Sequence, residues 1–229
     1  MNTPMLYYLT ELLFPQLCVV CGDKLIEQEK WICLHCLHHI PRTNFHREPE
    51  NPVAQLFYGR VQIEFATSFF YFSKGSKYQT LLHNLKYKGM KELGEEIGKH
   101  FGIDLLQSPD FSSVDVICPV PLHPQKEKKR GYNQSWWIAS GMALQMQKEL
   151  SDDNLKRVTA TETQTRKSRF ERWTNVEGIF ELSDPDAFSG KHILLIDDVV
   201  TTGSTLEACA QTIISTTDAR VSIATLATA

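Results

Sequence analysis

The chain has 229 residues, 42% of them hydrophobic and 22% charged, and a net charge of −3. That is an ordinary globular composition, long enough for one large domain or a medium domain with a small appendage. It excludes a general polyanion binder and, since no apolar run approaches ~20 residues, a helical membrane span. The charge is uneven: residues 120–172 carry 11 Lys/Arg against 6 Asp/Glu, a net of +5, which marks the place to look for an anionic ligand.

The N-terminal stretch MNTPMLYYLTELLF has no basic start, carries Glu11 and lacks a small-residue cleavage site, so it is not expected to be a signal peptide and a cytoplasmic protein is expected. With Thr3 as cap and Pro4 in the first turn it predicts a helix that packs its apolar face on a neighbour. Next, CVVCGDKLIEQEKWICLHC places Cys18 and Cys21 eleven residues ahead of Cys33 and Cys36. Each CxxC is a tight turn with two thiols aimed at one point, and Gly22 supplies the positive φ such a turn needs. Two such turns make a tetrahedral four-sulfur cage, for which Zn2+ is the default ion. Four thiolates close the coordination sphere and leave no place for a substrate water, so the expected role is structural. His35, His38 and His39 are expected beside the cage as surface residues, one of them replacing a cysteine as ligand being the lesser alternative, and a redox CxxC is the weaker alternative to a metal site. Lys24, Lys30 and Arg42 are too few for a nucleic-acid patch on this ribbon. Cys118 and Cys209 sit in apolar surroundings as small buried hydrophobes, and disulfides are not expected.

Residues 41–56 hold Pro41, Pro49 and Pro52 in a polar stretch and predict a linker. The expected division is thus residues 1–40 for helix and zinc ribbon, 41–56 for the linker and 57–229 for the main domain. From Val61 the pattern alternates, then becomes the aromatic strand FATSFFYF. SKYQTLLHNLKYKG has helical spacing at Tyr78, Leu81, Leu82 and Leu85 and stops at Gly89, with Lys86 and Lys88 at its end. KELGEEIGKHFGIDLL predicts a helix weakened by its glycines. VDVICPVPLHP begins as a buried strand and breaks at Pro119; HPQKEKKRGYNQ is expected to be a loop, and SWWIASGMALQMQKEL a long helix. The last third repeats strand, loop and helix in HILLIDDVV, TTGST and LEACAQTIIS, and ends in the strand ARVSIATLA. Strands alternating with helices predict an α/β domain with a mainly parallel sheet flanked by helices.

In such sheets ligands bind outside the carboxyl ends of the strands, where Asp197 and Asp198 stand. Adjacent carboxylates at the end of a buried strand repel each other and lose hydration, so a cation, N–H groups or hydroxyls must compensate. Taken alone, such a pair is more often structural, one aspartate capping the loop and the other solvated. The following residues alter that balance. Thr201, Thr202, Gly203, Ser204 and Thr205 lead into a helix whose first N–H groups are unpaired and attract phosphate. The hydroxyls add donors, Gly203 lets the backbone approach an anion, and neither a GxxxxGKS loop nor a GxGxxG is present. A phosphorylated sugar fits, with its diol at the carboxylates and its phosphate in the cradle.

LLIDDVVTTGSTL, Leu194 to Leu206, closely resembles the phosphoribosyl-pyrophosphate motif of type I phosphoribosyltransferases. Together with PVPLHPQKEKKRGYNQS, QTRKSRFERWTNVEGIF and the double CxxC, the chain is similar along nearly its whole length to the ComF family of ComFC- and GntX-like proteins. The resemblance implies a type I phosphoribosyltransferase-like fold preceded by a small zinc ribbon, and a donor bound with Mg2+. It implies that Asp197 and Asp198 address the ribose hydroxyls and that residues 201–205 hold the 5′-phosphate. It places a pyrophosphate-side loop in residues 120–134 and a mobile lid in residues 164–175. The residues agree with this. Lys126, Lys129 and Arg130, with Lys128 beside them, follow a strand end, and Asn133 and Gln134 open a helix; KEKKR alone is more often a solvated run. Arg166, Arg169 and Arg172, with Lys167, suit a basic lid that neutralises pyrophosphate and excludes water, against the bland reading of an exposed helix face.

The acceptor is not legible. Where transferases acting on 6-oxopurines usually carry an acid after the two apolar residues of the motif, this chain has Thr201, which puts hypoxanthine- or guanine-type activity in doubt. Trp136, Trp137 and Trp173 are of a type that stacks on bases, although core packing is the default for the first two. Two functions are expected: a Mg2+-dependent phosphoribosyltransferase, or a non-catalytic single-stranded nucleic-acid-binding or sensing protein that keeps the fold. The resemblance further implies DNA uptake in natural transformation, with single-stranded DNA and a helicase as partners.

Overall fold

In the computed structural model the described residues are 14–158 and 179–228. The expected helix at the N-terminus and the expected lid, with Arg166, Arg169, Arg172 and Trp173, lie outside them. In chain order the elements are α1 (Leu34–His38), α2 (Pro52–Gln55), β1 (Ala66–Tyr71), α3 (Gln79–Tyr87), α4 (Lys91–Leu105), α5 (Pro109–Ser112), β2 (Val116–Pro119), α6 (Pro124–Arg130), α7 (Gln134–Met146), β3 (Glu149–Leu150), β4 (Leu155–Arg157), β5 (Phe180–Leu182), β6 (His192–Val200), α8 (Ser204–Thr216) and β7 (Arg220–Thr228).

Five strands form one sheet in the order β1-β7-β6-β2-β3, and every pairing in it is parallel. A separate antiparallel pair joins β4 to β5. A parallel sheet is covered on both faces, so its central strands are apolar on both sides. In β6, Leu194 and Ile196 face one core, built with α3, α4 and α7, while Ile193 and Leu195 face a second, built with α2 and α8. The α/β class with a mainly parallel sheet is therefore observed. Among the described residues no helix is long and apolar enough to cross a membrane.

The glycines of α4 have a positive role. A Cβ at Gly98 would collide with the carbonyl oxygen of Ile138, and one at Gly141 of α7 with that of Glu95. The two helices touch backbone to backbone, which only glycine permits, and this outweighs their poor helix propensity.

One element differs from the expectation. HPQKEKKRGYNQ is not a loop throughout: Pro124–Arg130 is a two-turn helix. His123 accepts Gln125 N–H at 3.2 Å, Pro124 occupies the first turn, three cations end the helix and Gly131 stops it at φ +83°. Those are start and stop signals legible in the sequence; the density of charge concealed them.

The segment 41–56 packs along the sheet. Phe45, Val53 and Ala54 are buried in the second core, and Asn51 caps α2 while its amide donates to Ala66 O at 2.7 Å. The cysteine segment enters the first core through Cys18, Leu25, Ile32, Cys33, Cys36 and Ile40.

Candidate functional site

The site is the carboxyl end of β6. The strand carries Asp197 and Asp198 out of the sheet, the chain turns, and α8 starts at Ser204 after Gly203 in a left-handed conformation, φ +75°. Thr201, Thr202, Ser204 and Thr205 are exposed and Gly203 is buried. A Cβ on Gly203 would lie 3.0 Å from the Phe57 ring, so bulk as well as φ requires glycine here. With Asp197 these residues line a recess of about 60 Å³. The first N–H groups of a helix have no intrahelical partner, so α8 directs positive partial charge at this recess.

The two carboxylates are held differently. Asp197 Oδ1 accepts the Ser135 hydroxyl at 2.8 Å and the Asp198 N–H at 2.8 Å. Burial, reinforced by the neighbouring Asp198 charge, raises its carboxyl to about 7 in spite of those donors. Asp198 Oδ2 is paired with Lys86 Nζ at 3.0 Å, both side chains being mostly buried. The acids thus draw compensation from the N-terminus of α7 and the C-terminus of α3, elements far apart in the chain.

A third remote element holds the loop. Arg60 donates to Thr202 O at 2.8 Å and to Leu56 O at 2.9 Å, and its guanidinium pairs with Glu207 in the first turn of α8. Arg60, Lys86 and Ser135 were not singled out as site residues from the sequence. Lys86 was visible as a cation ending a helix, and Ser135 follows the RGYNQ run. Arg60 carries no local signal, for its partner lies 142 residues on.

The residues expected on the pyrophosphate side fall into two groups. Lys126 and Lys129 are exposed on α6. Arg130 bonds Gln134 Oε1 at 2.6 Å and lies over the Tyr87 ring, 5.8 Å from its centroid. Asn133 and Gln134 are engaged within the loop: Asn133 caps α7 through Ser135 N–H and donates to Val120 O at 2.9 Å, while Gln134 is buried. Their geometry positions Arg130 and Ser135. Trp136 and Trp137 are half-buried, edge to face at 5.1 Å, on a cavity of about 530 Å³ that Lys156 and Arg157 also line.

Elsewhere, Cys18, Cys21, Cys33 and Cys36 bring their sulfurs within 4.8 Å of one another. Gly22 has φ +81°, and Cys33 N–H points at Cys18 Sγ at 3.3 Å. Burial pushes the Cys18 thiol up, but backbone N–H groups of Cys33, Cys21 and Val20 outweigh it and bring it to about 7. A donor set of four convergent thiols, one already inclined to ionise, fits a tetrahedral soft-ligand ion. His35, His38 and His39 are exposed beside it and contribute no ligand atom. Tyr78 Oη donates to Cys36 O at 3.0 Å and Arg42 pairs with Asp104 at 2.8 Å, so the cysteine turns are fastened to α3 and α4. Cys118 and Cys209 are buried apart from the cluster, and burial pushes the Cys118 thiol up to about 12.

A family model described as the phosphoribosyl transferase domain matches residues 134–229, from α7 through the carboxylates and the hydroxyl loop to β7. DNA utilization protein YhgH of Escherichia coli K12 is 29% identical over 146 residues, 62% of this chain and 63% of that protein. Competence protein ComFC of Bacillus subtilis is 33% identical over 135 residues, 57% of this chain and 50% of that protein. The chain is thus similar to ComF-type competence and DNA utilization proteins. It carries a phosphoribosyltransferase domain, and the motif that suggested one in the sequence lies inside the matched residues. The chain matches under two thirds of the length of its YhgH relatives. Among solved structures, a hypoxanthine phosphoribosyltransferase of Staphylococcus aureus aligns at 18% identity and a TM-score of 0.38, covering 64% of this chain and 70% of that one.

Proposed function

We propose that this chain is a ComF-type protein that binds phosphoribosyl pyrophosphate with Mg2+ and transfers its phosphoribosyl group. One observation carries the reading: two adjacent carboxylates and an exposed hydroxyl cradle occupy one strand–loop–helix turn, and Ser135, Lys86 and Arg60 hold that turn in place. Asp197 and Asp198 accept hydrogen bonds from the ribose 2′ and 3′ hydroxyls. Thr201, Thr202, Ser204 and Thr205, with the first N–H groups of α8, hold the 5′-phosphate. Lys126, Lys129 and Arg130 draw the pyrophosphate end towards α6, where Asn133 and Gln134 keep Arg130 in position. The carboxylates suit a hard, oxygen-seeking cation, and Mg2+ would neutralise charge developing on pyrophosphate. The sugar, which turns cationic as the bond to pyrophosphate lengthens, faces the carboxylates.

The cysteine cage is assigned to structural Zn2+. We take the chain as a metal unit (1–40), a connecting segment (41–56) and a phosphoribosyltransferase-like unit (57–229), with Tyr78 tying the first to the third. The names of the relatives, a DNA utilization protein and competence proteins, support a role in handling DNA; a cytoplasmic location, single-stranded DNA and a helicase as partners belong to the same proposal.

Titration of phosphoribosyl pyrophosphate with Mg2+ into the zinc-loaded protein tests the reading. Binding that Asp197→Asn/Asp198→Asn weakens by about 100-fold is the expected result; equal binding by the variant overturns it. A second reading, non-catalytic binding of single-stranded nucleic acid, is favoured by the exposed Lys126, Lys128 and Lys129 on α6. It predicts oligonucleotide affinity that falls steeply with salt and survives the aspartate substitutions.

A further inference from the structure

The edge of a sheet is a row of unpaired backbone groups, and this sheet leaves little of either edge open. At one side β3 is two residues long. At the other, β1 is covered along its outer side. Thr43 N–H donates to Phe69 O at 3.0 Å, Tyr71 N–H donates to Pro41 O at 2.9 Å, and the buried Asn51 amide donates to Ala66 O at 2.7 Å. The cover stops there. The residues just before β1, Gln62 to Phe65, run on beside β7: Glu64 N–H donates to Val221 O and Ile223 N–H to Phe65 O, both at 2.8 Å. Among the described residues, the N–H groups of Gln62, Ile63 and Phe65 and the carbonyls of Gln62, Ile63 and Glu64 have no hydrogen-bond partner.

A cleft of about 640 Å³ follows this open stretch. Every residue from Tyr58 to Ala66 lines one bank, Pro49, Glu50 and Ala54 line the other, and Gln211 of α8 also borders it. Gln62 and Glu64 are exposed while Val61, Ile63 and Phe65 are half-buried, the alternation of a strand. We propose that the cleft docks an extended segment of another protein, which adds to the open edge as a further strand and carries Lys or Arg among apolar residues. The cleft lies apart from the carboxylates and the hydroxyl loop, so the inference does not depend on the phosphoribosyl reading.

The chemistry of the cleft selects this occupant. Unpaired N–H and C=O groups on an ordered, extended backbone give main-chain affinity to an added strand, and the pockets between alternate side chains give it specificity. Gln62 to Phe65 offers about 13 Å of edge at ~3.3 Å per residue. The volume falls in the range of ~300–1,000 Å³ typical of ligand sites. Tyr58, with 57% of its surface exposed, stands ready for apolar contact. The charge is one-sided. Glu50 and Glu64 are exposed, and neither is in an ion pair among the described residues. Arg60, the cation in the lining, is already engaged by Glu207 and Thr202 O. A basic segment therefore finds two free carboxylates, whereas phosphates of a nucleic acid meet like charge. A second copy of this chain would set the same acids against themselves, and like charges across a strand pair are unfavourable.

Peptides of about nine residues that alternate Lys or Arg with Val, Ile or Phe serve as probes, with Glu replacing the cations in a matched control set. Fluorescence anisotropy on the full chain should find binders in the basic set alone. Binding should slow hydrogen exchange of the amides in residues 62–65 by about tenfold or more, since the added strand takes up those donors. Glu50→Lys/Glu64→Lys should weaken binding by about tenfold or more with Tm within about 2 °C of the parent. N-methylation of every second peptide nitrogen should abolish binding in one of its two registers, because a strand presents alternate N–H groups to its neighbour. The proposal is overturned if no basic peptide binds more tightly than about 1 mM, if the acidic set binds as well, if both N-methylated registers bind like the parent peptide, or if protection falls outside residues 62–65. A dimer of the unliganded chain that itself protects residues 62–65, seen by sedimentation and exchange, makes a second copy the occupant and overturns it too.

Discussion

The cysteine cluster and the carboxylate pair both gather ionisable groups, and they are assembled by opposite means. All four cysteines lie between residues 18 and 36, and two short turns suffice to converge them to within 4.8 Å. The aspartates are neighbours in the chain, but what makes them tolerable comes from afar: Ser135 is 62 residues away and Lys86 lies on another helix. Once ionised, the four thiols of the first site would need a cation to offset their crowding. The second is balanced by a hydroxyl, a lysine and a raised carboxyl pKa, and depends on the whole sheet to hold them together. A local cluster should fail locally and with its ion; a distributed one should fail wherever a contributing element is disturbed.

The largest effect should come from removing metal. Chelation, or Cys36→Ser, strips the ion from a cage whose Cys18, Cys33 and Cys36 side chains form part of the first core of the parent protein. A loss of about 3 kcal/mol or more is expected, seen as a fall of roughly 6–12 °C in Tm by differential scanning calorimetry. If Tm is unchanged, the comparison breaks, because the cluster then needs no ion.

Next in size is the carboxylate pair itself. Asp197→Asn/Asp198→Asn should weaken donor binding by about 100-fold, ~2.7 kcal/mol, without lowering Tm, since the acids serve the ligand and not the fold. A large fall in Tm would place the pair among the structural groups.

Lys86→Met tests the remote compensation. It leaves Asp198 partly buried without its partner and should cost about 1–3 kcal/mol at pH 8, measured by urea denaturation. An unchanged midpoint would mean that solvent, and not α3, balances the acid.

A smaller effect, with a definite pH signature, concerns Asp197. Its carboxyl stands near 7 in the folded protein, against an ordinary value of 3.8. Between those values the folded state holds more protons than the unfolded one, so its contribution to stability falls as pH rises through that window. Asp197→Asn removes the burden: a gain of about 1–2 kcal/mol is expected at pH 8, shrinking to nothing below pH 4. A gain that is constant with pH would contradict the assignment. His192 acts in the other direction. Burial holds its imidazole below the ordinary 6.5 between Ser113 and Ser222, so it contributes stability above that value that is lost as pH falls.

The smallest expected effect is at Arg60. Arg60→Ala removes the clamp on Thr202 O and should weaken donor binding by about fivefold to tenfold, ~1 kcal/mol, with little change in Tm. Arg60→Lys should recover only part of it, because an ammonium cannot span the same fork of acceptors.

Sequence alone determined the parts whose physics is local. Short apolar runs marked β6 and β7, the CxxC spacing marked the cage, and Gly203 between hydroxyls marked the turn into α8, because each rests on residues within a few positions of one another. Even where the expectation missed, as in the helix Pro124–Arg130, the capping signals lay within the segment. Tertiary structure decided what depends on distant residues meeting. It brought Ser135 and Lys86 to the two aspartates, set Arg60 against the loop, and fastened the cysteine turns to α3 through Tyr78. It also turned the glycines of α4 from a weakness into a close helix contact. A local pattern fixes how the backbone runs and which face a side chain takes. Which charge neutralises which, and where a cavity is left, follows only once the sheet has stacked elements that the chain keeps far apart.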